Sequence, residues 1–469
     1  MTMARKVFIS VLGTGYYEAC KYTKGSFCST ETRFIQQATL EYLKVSNNWV
    51  TKNAEGEVVD RIIILLTDGA KDTNWHKSIT KRFNRKTETE EPYEGLEQIL
   101  NNMHLPCPVE TLSIPDGKSE EEMWTIFNTV YNALKPNDEL YFDLTHSFRY
   151  LPMLVLVLGN YAKFLKGVKV NHISYGNYEA RDTATNEAPL MDILPLTMLQ
   201  DWTFAAADLI QNGNIKKLQE LKEDNSLVPL LRERGKKNID RRMAEGYLDA
   251  YIESLNNFLN DMKLCQGPNI LRGESINNIN SCHEQVVDVF ENVIAPIPPI
   301  INKIQDSLRG FEQTDSINSE SLINGYMSAK WCYEHQLYQQ AITILDENLT
   351  THFCKYLGTN EFNYDQRNSS NAFLRNGGYR EEDWKKKKRD EEVDEDWEKI
   401  KEAVKVAESY QGVQSFVSLM SNDARWIHNK RNSYNHASMT NDKLFTTEDV
   451  RILGEKIRRV LTILKPLCC

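Results

Sequence analysis

Residues Glu139–Pro152 read ELYFDLTHSFRYLP, and this stretch decides how the first part of the chain folds. ELYFDLT is a short apolar and aromatic run of the kind buried in a sheet, and the RYLPMLVLVLGNYAKFLKG that follows carries a helical pattern. A strand that stops on a polar turn and hands over to a helix is the building step of a parallel sheet. Working outward, KVFISVL, RIIILLT, VETLSI and VKVNHISYG are further strand-like runs, mostly continuous and rich in Val, Ile and Leu. Between them lie the helical patterns ETRFIQQATLEYLKV, YEGLEQILNNM and EEEMWTIFNTVYNAL. Strands alternating with helices predict an α/β Rossmann-like domain with a mostly parallel sheet over residues 1–200.

From Leu199 onward strand signals nearly vanish, and long helical patterns such as DWTFAAADLIQNGNIKKLQELKE and YLDAYIESLNNFLNDMKL take over. IAPIPPIINKI, with its cluster of prolines, reads as a rigid joint. The expected division is therefore an α/β domain at 1–200, a helical connector at 201–320 and an all-α domain at 321–469. NAFLRNGGYREEDWKKKKRDEEVDEDWEK balances its own charge and reads as a solvated loop or helix face. No repeat of a solenoid kind is present.

The 469 residues have room for two or three domains, and 41% apolar with 26% charged residues is ordinary for a folded soluble protein. No stretch approaches the roughly 20 apolar residues needed to span a bilayer. The N-terminal MTMARKVFISVL lacks a signal-peptide core and reads as a first strand. Nine scattered cysteines without a CxxC pair signal neither a zinc ribbon nor a thioredoxin-like motif, and fit reduced thiols in a cytoplasmic protein. A formal charge of -10 argues against non-specific duplex binding, so a nucleic-acid site should be a local cleft.

Against that acidic background RNSYNHA, residues 431–437, is conspicuous. Asn432 and His436 are four apart, hence on one face of a helix, and Arg431 sits about 140° round from His436. The trio suits a phosphodiester: Arg431 supplies a planar fork for phosphate oxygens, and His436 can move a proton near neutral pH. Tyr434 and Trp426 are candidates to stack on bases. His428 and His436 lie about 12 Å apart along a helix, too far to share an ion, so no metal is expected. Spacing alone equally allows a structural role, with Arg431 and His436 satisfying carbonyls near a helix end.

At the other end of the chain GTGYY follows KVFISVL, and THSFR follows ELYFDL. Both fall at the carboxyl ends of strands, where open α/β sheets bind ligands beside the topological switch point. Thr67 and Asp68 mark a third strand end. Gly13 and Gly15 allow close backbone approach, and Thr145 and Ser147 offer hydroxyls where a helix begins, as caps or as an anion site. GTG is not GxGxxG, and no acidic residue stands about 20 positions on at a second strand end, so nicotinamide binding is poorly supported.

DLTHSFRYLP closely resembles the D-x-T-H-G-x-R-x-x-P element of CRISPR-associated Rossmann-fold (CARF) sensors, with Ser147 where Gly is usual, and ISVLGTGYY resembles their first strand and loop. Arg431-Asn432 and His436 in an all-helical block resemble the R-x(4-6)-H motif of HEPN ribonucleases. The chain thus resembles the CARF-HEPN accessory ribonucleases of type III CRISPR immunity. The resemblance implies a cyclic oligoadenylate, tetra- or hexa-adenylate, as allosteric activator. It would be bound across a CARF dimer by Gly13, Thr14, Gly15, Tyr16, Thr67, Asp68, Thr145, His146, Ser147, Phe148 and Arg149. It also implies metal-independent cutting of single-stranded RNA by a homodimeric HEPN site with Arg431, Asn432 and His436, no catalytic cofactor, and no stable complex with the effector. Degradation of the activator by the CARF domain stays open. The alternative is a cyclic-nucleotide-controlled regulator or binding protein whose helical domain is not catalytic.

Overall fold

The first strand, β1 (Lys6–Leu12), is apolar on both faces, and each face has its own core. Phe8 and Leu12 join Phe34, Trp49, Ile62, Ile64, Trp75 and Leu96. Ile9 and Val11 point the other way, toward Leu65, Ile126, Val130, Phe142 and Leu154. Strand side chains alternate, so a continuous apolar run is what a sheet covered on both sides requires. The structure is a computed structural model that describes residues 4–76, 82–84, 89–91, 94–146, 150–223, 238–291, 296–314, 320–377, 411–437 and 444–465. The chain divides into two units, Met1–Met198 and Leu199–Cys469.

In the first unit β1 is followed by β2 (Lys21–Lys24), β3 (Phe27–Cys28), α1 (Ile35–Tyr42), β4 (Arg61–Leu66), β5 (Arg82–Asn84), β6 (Thr89–Glu91), α2 (Leu96–Asn102), β7 (Val109–Ser113), α3 (Glu120–Ala133), β8 (Glu139–Asp143), α4 (Leu151–Lys166), β9 (Lys169–Gly176) and β10 (Glu187–Asp192). The eight-stranded sheet has the order β3-β2-β10-β9-β8-β1-β4-β7. β9, β8, β1, β4 and β7 are parallel neighbours, and they are the five strands expected from the apolar runs. From β1 the chain moves out through β4 to β7, then returns to place β8 on the other side of β1. The switch point therefore lies between β1 and β8, which pair from Lys6↔Glu139 to Ser10↔Asp143.

Three strands of the sheet and the β5-β6 hairpin were not expected from sequence. KYTK, FC and the proline-bearing EAPLMD are too short or too polar to show alternation, yet β10 pairs antiparallel with β9 and parallel with β2. The expected cap of α4 also differs. Its N-cap is Tyr150, without a side-chain cap bond, and Thr145 is bonded elsewhere.

The second unit is helical. α5 (Leu194–Asn212) leads into it, followed by α6 (Lys216–Glu223), α7 (Asn238–Lys263), α8 (Gly267–Arg272), α9 (Glu274–Glu291), α10 (Ile297–Ser307), α11 (Leu322–Glu334), α12 (Tyr338–Leu357), α13 (Tyr364–Arg375), α14 (Gln411–Asn435) and α15 (Thr447–Leu464). The proline cluster is a helix start rather than a joint. Pro296 is the N-cap of α10 and Pro298 sits in its first turn, where a missing N–H costs nothing. Most of the charged stretch, residues 378–410, lies outside the described residues. α12 buries Ile342, Leu345, Leu349 and Phe353, and also the polar Asp346, Asn348 and His352. It ends on Gly358 at φ 67°, a left-handed cap that suits glycine. No helix among the described residues is long and apolar enough to cross a membrane.

Candidate functional site

At the switch point the loops after β1, β4, β7 and β8 enclose a cleft of about 740 Å³. Gly13, Thr14, Gly15, Thr67, Asp68 and His146 line it, so six of the expected ligand residues come together. The glycine loop is pinned from below. The fully buried Asn74 donates through Nδ2 to the carbonyl oxygens of Gly13 at 2.7 Å and Gly15 at 2.9 Å. A Cβ on Gly13 would lie 2.6 Å from the Tyr17 hydroxyl and 3.3 Å from the His146 carbonyl, so a side chain here would have to displace the Tyr17 hydroxyl where the two loops pass closely.

The His146 ring stacks on Tyr17 with centroids 3.9 Å apart and planes at 23°. Its Nε2 is buried without a hydrogen-bond partner among the described residues. Burial pushes the imidazole pKa down to about 4, so it is neutral at physiological pH.

The other expected residues divide. Thr145 serves the fold: its hydroxyl donates to Asp143 Oδ1 at 2.6 Å and accepts the Gly176 N–H at 2.8 Å, tying the end of β8 to β9. Asp143 is itself buried, accepts from the Ser10 hydroxyl at 2.7 Å, and has its pKa raised by burial. Tyr16 is exposed beside Arg33, whose Nη1 donates to its hydroxyl at 3.3 Å, and it is not on the cleft wall. Ser147, Phe148 and Arg149 lie outside the described residues. Tyr17, Lys118 and Asp116 line the cleft unanticipated. Applying the strand-end rule to β7 as well would have found Asp116 and Lys118. Nothing in KDTNW announces Asn74.

Comparison with known proteins accords with this cleft. Residues 7–179, which contain all four of its loops, match the family described as "CRISPR system endoribonuclease Csx1, CARF domain". The N-terminal unit is thus similar to a CARF domain. A CRISPR-associated protein of Methanocaldococcus jannaschii is 22% identical over 377 residues, covering 75% of this chain and 54% of that protein. The chain thus spans about half the length of that curated relative. Both matches support a CARF-containing CRISPR accessory family.

In the helical unit, a second polar constellation lies where α14 packs on α12. Arg431 bonds through Nη2 to Glu347 Oε1, sets Nε 3.8 Å from Asp346 Oδ2, and donates through Nη1 to Asn432 Oδ1 at 3.2 Å. Asn432 Nδ2 lies 2.9 Å from His428 Nε2, and His428 Nδ1 lies 3.0 Å from Asp346 Oδ2. Arg367 on α13 holds Glu347 by a 2.7 Å ion pair and bonds Thr351 Oγ1 at 2.8 Å. Arg431 and Asn432 are therefore together and half-buried.

His436 lies just past the last residue of α14, one turn on from Asn432. α14 ends at Asn435, and Ala437 turns left-handed at φ 49°. The His436 N–H still reaches the Asn432 carbonyl at 3.1 Å, but its exposed imidazole has no hydrogen-bond partner among the described residues. Tyr434 packs edge-on against Phe445 with centroids 4.6 Å apart, so its ring is engaged in packing rather than presented for base stacking. Asp346 and Glu347 were not anticipated as partners of Arg431, nor His428 as the partner of Asn432. Asp346 and His428 are 82 positions apart, and no local pattern links them. Among the described residues no group of three or more His, Cys, Asp or Glu side chains is placed to hold a metal ion.

Proposed function

We propose that the chain is a single-stranded RNA endoribonuclease of HEPN type, switched on by a cyclic oligoadenylate held at the CARF cleft and acting as a homodimer. The observation that carries the reading is a guanidinium already oriented by Asn432 and Glu347, with the exposed His436 five residues on, its imidazole without a hydrogen-bond partner among the described residues. At the other end of the chain, the glycine loop and the polar Thr14, Thr67 and Lys118 around the cleft suit a ligand with phosphates and nucleobases.

RNA carries its own nucleophile. The protein need only align the 2'-hydroxyl with the leaving 5'-oxygen, stabilise the crowded phosphate and move protons. Arg431 holds the phosphorane charge, His436 transfers a proton, and Asn432 orients a phosphate oxygen or the guanidinium. One imidazole cannot serve both ends of an in-line displacement, whereas two copies related by a twofold axis can. The products are a 2',3'-cyclic phosphate and a 5'-hydroxyl, and DNA, lacking the 2'-hydroxyl, is not cut.

The test is cleavage of labelled single-stranded RNA with and without cyclic tetra- and hexa-adenylate, in EDTA. Ring-dependent cutting that survives EDTA and falls by about 10²–10⁴-fold in His436→Ala is expected. Dependence on added metal, or an unchanged rate in that variant, would sink the reading. The ion pair between Arg431 and Glu347 favours one rival, a ring-controlled binding protein whose helical unit cuts nothing. Ring binding without RNA cutting by the wild type would select it.

A further inference from the structure

Asp346 on α12 and His428, Asn432 and Arg431 on α14 form a line of polar contacts, and its donors and acceptors can be assigned from one end. A guanidinium has only N–H donors, so the Asn432 atom 3.2 Å from Arg431 Nη1 is the amide oxygen. The amide nitrogen then faces His428 Nε2 at 2.9 Å, and because that nitrogen donates, Nε2 must accept. The proton of the neutral ring is therefore on Nδ1, which donates to Asp346 Oδ2 at 3.0 Å. The Asp346 side chain is only 4% exposed, so the line is anchored in the interior of α12.

We infer that Asp346 and His428 are positioning residues for RNA cleavage: by fixing the Nδ1–H tautomer they aim the Asn432 amide, which holds the Arg431 guanidinium where the scissile phosphate arrives. This rests on the ribonuclease reading above. In the opposite tautomer Nε2 becomes a donor and the amide must turn over. Asn432 Nδ2 then meets Arg431 Nη1, donor against donor, and the guanidinium loses its fixed direction. Glu347, held in turn by Arg367, restrains the far side of the same guanidinium, so the amide decides which way the fork tilts.

Two substitutions separate positioning from mere structural support. His428→Gln keeps an acceptor near the Nε2 position for Asn432 and gives up the link to Asp346. His428→Asn does the reverse: its amide satisfies the buried carboxylate but cannot reach Asn432. With the full chain, labelled single-stranded RNA and cyclic tetra- or hexa-adenylate, kcat of His428→Asn should fall about 10²-fold while KM for RNA stays within about twofold. His428→Gln should stay within about tenfold of wild type. Asn432→Leu cuts the line without touching the carboxylate, and the double variant His428→Asn/Asn432→Leu should be no slower than Asn432→Leu alone.

A structural role predicts the reverse order, with His428→Asn the faster of the two. That order, or an additive double variant, overturns the inference. Arg431→Ala tells the two levels apart. If it is inactive while His428→Asn cuts at the wild-type rate, only the positioning role falls. If Arg431→Ala cuts as fast as wild type, or wild type cuts no RNA with either ring, the ribonuclease reading fails and takes the inference with it.

Discussion

Two histidines show how burial sets chemistry one residue at a time. Burial pushes both His146 and His352 down to about 4, the latter beside the Tyr326 hydroxyl at 2.8 Å. His146 then stays neutral between pH 5 and pH 8, and ring affinity measured by calorimetry should show no inflection near pH 6.5 from this group. His146→Ala should weaken the ring by about tenfold or more, as expected for loss of one or two kcal/mol of ligand contact. His352 gives a stability prediction. The unfolded imidazole titrates near 6.5 and the folded one near 4, so its stabilising contribution is complete above pH 6.5 and is lost as pH falls toward 4. Asp143, raised by burial, acts in the opposite sense, so the diagnostic quantity is a difference. Between pH 7 and pH 4.5 the melting temperature of His352→Gln should fall less than that of wild type. Equal slopes would mean that this ring is already open to protons in the fold.

For whole elements, legibility in the sequence followed burial and range. β1 and β4 could be read because both their faces are covered, which leaves the long apolar runs KVFISVL and RIIILL, whereas β7, at the sheet edge and largely exposed, showed only as the shorter run VETLSI. β2, β3 and β10 could not be read, since pairing rather than patterning makes them strands. The cleft was legible wherever a glycine or hydroxyl followed a strand, but the choice between ligand and fold was not: Thr145 went to Asp143 and Gly176. α4 carries a further message. Its inner face buries Leu154, Val155, Leu158 and Ala162, while Met153, Val157, Tyr161 and Phe164 form an outer apolar row at helical spacing. Phe164 is 87% exposed, an unusual position for so apolar a ring. The homodimer proposed above needs a contact between copies, and that proposal puts it on this row, on the helix that follows the cleft loop of His146. Phe164→Glu should therefore turn the dimer into a monomer by light scattering, with an unchanged far-UV circular dichroism spectrum and no RNA cutting. A variant that remains dimeric would move the contact elsewhere.

On the scale of the whole molecule, the proposed switch is a coupling between two bound ligands, and coupling in binding is reciprocal. If the ring favours an arrangement in which the paired Arg431 and His436 groups hold RNA better, then RNA must favour the ring by the same factor. The chemistry can be removed without removing the RNA. A single-stranded oligonucleotide with 2'-O-methyl riboses keeps its phosphates and bases but has no free nucleophile, and His436→Ala leaves the Arg431–Asn432–His428 line in place. Saturating such a complex should tighten cyclic oligoadenylate binding by about 5–150-fold, the span of ordinary allosteric coupling, and the ring should tighten the oligonucleotide by an equal factor. The equality is the demanding part, because it leaves no adjustable term. Measured by calorimetry in both orders, a ring affinity indifferent to the oligonucleotide would show that activation bears on the chemical step alone. The ring would then reorient a guanidinium or an imidazole on RNA already bound, and the His428 variants would be the ones in which activation, rather than RNA affinity, is lost.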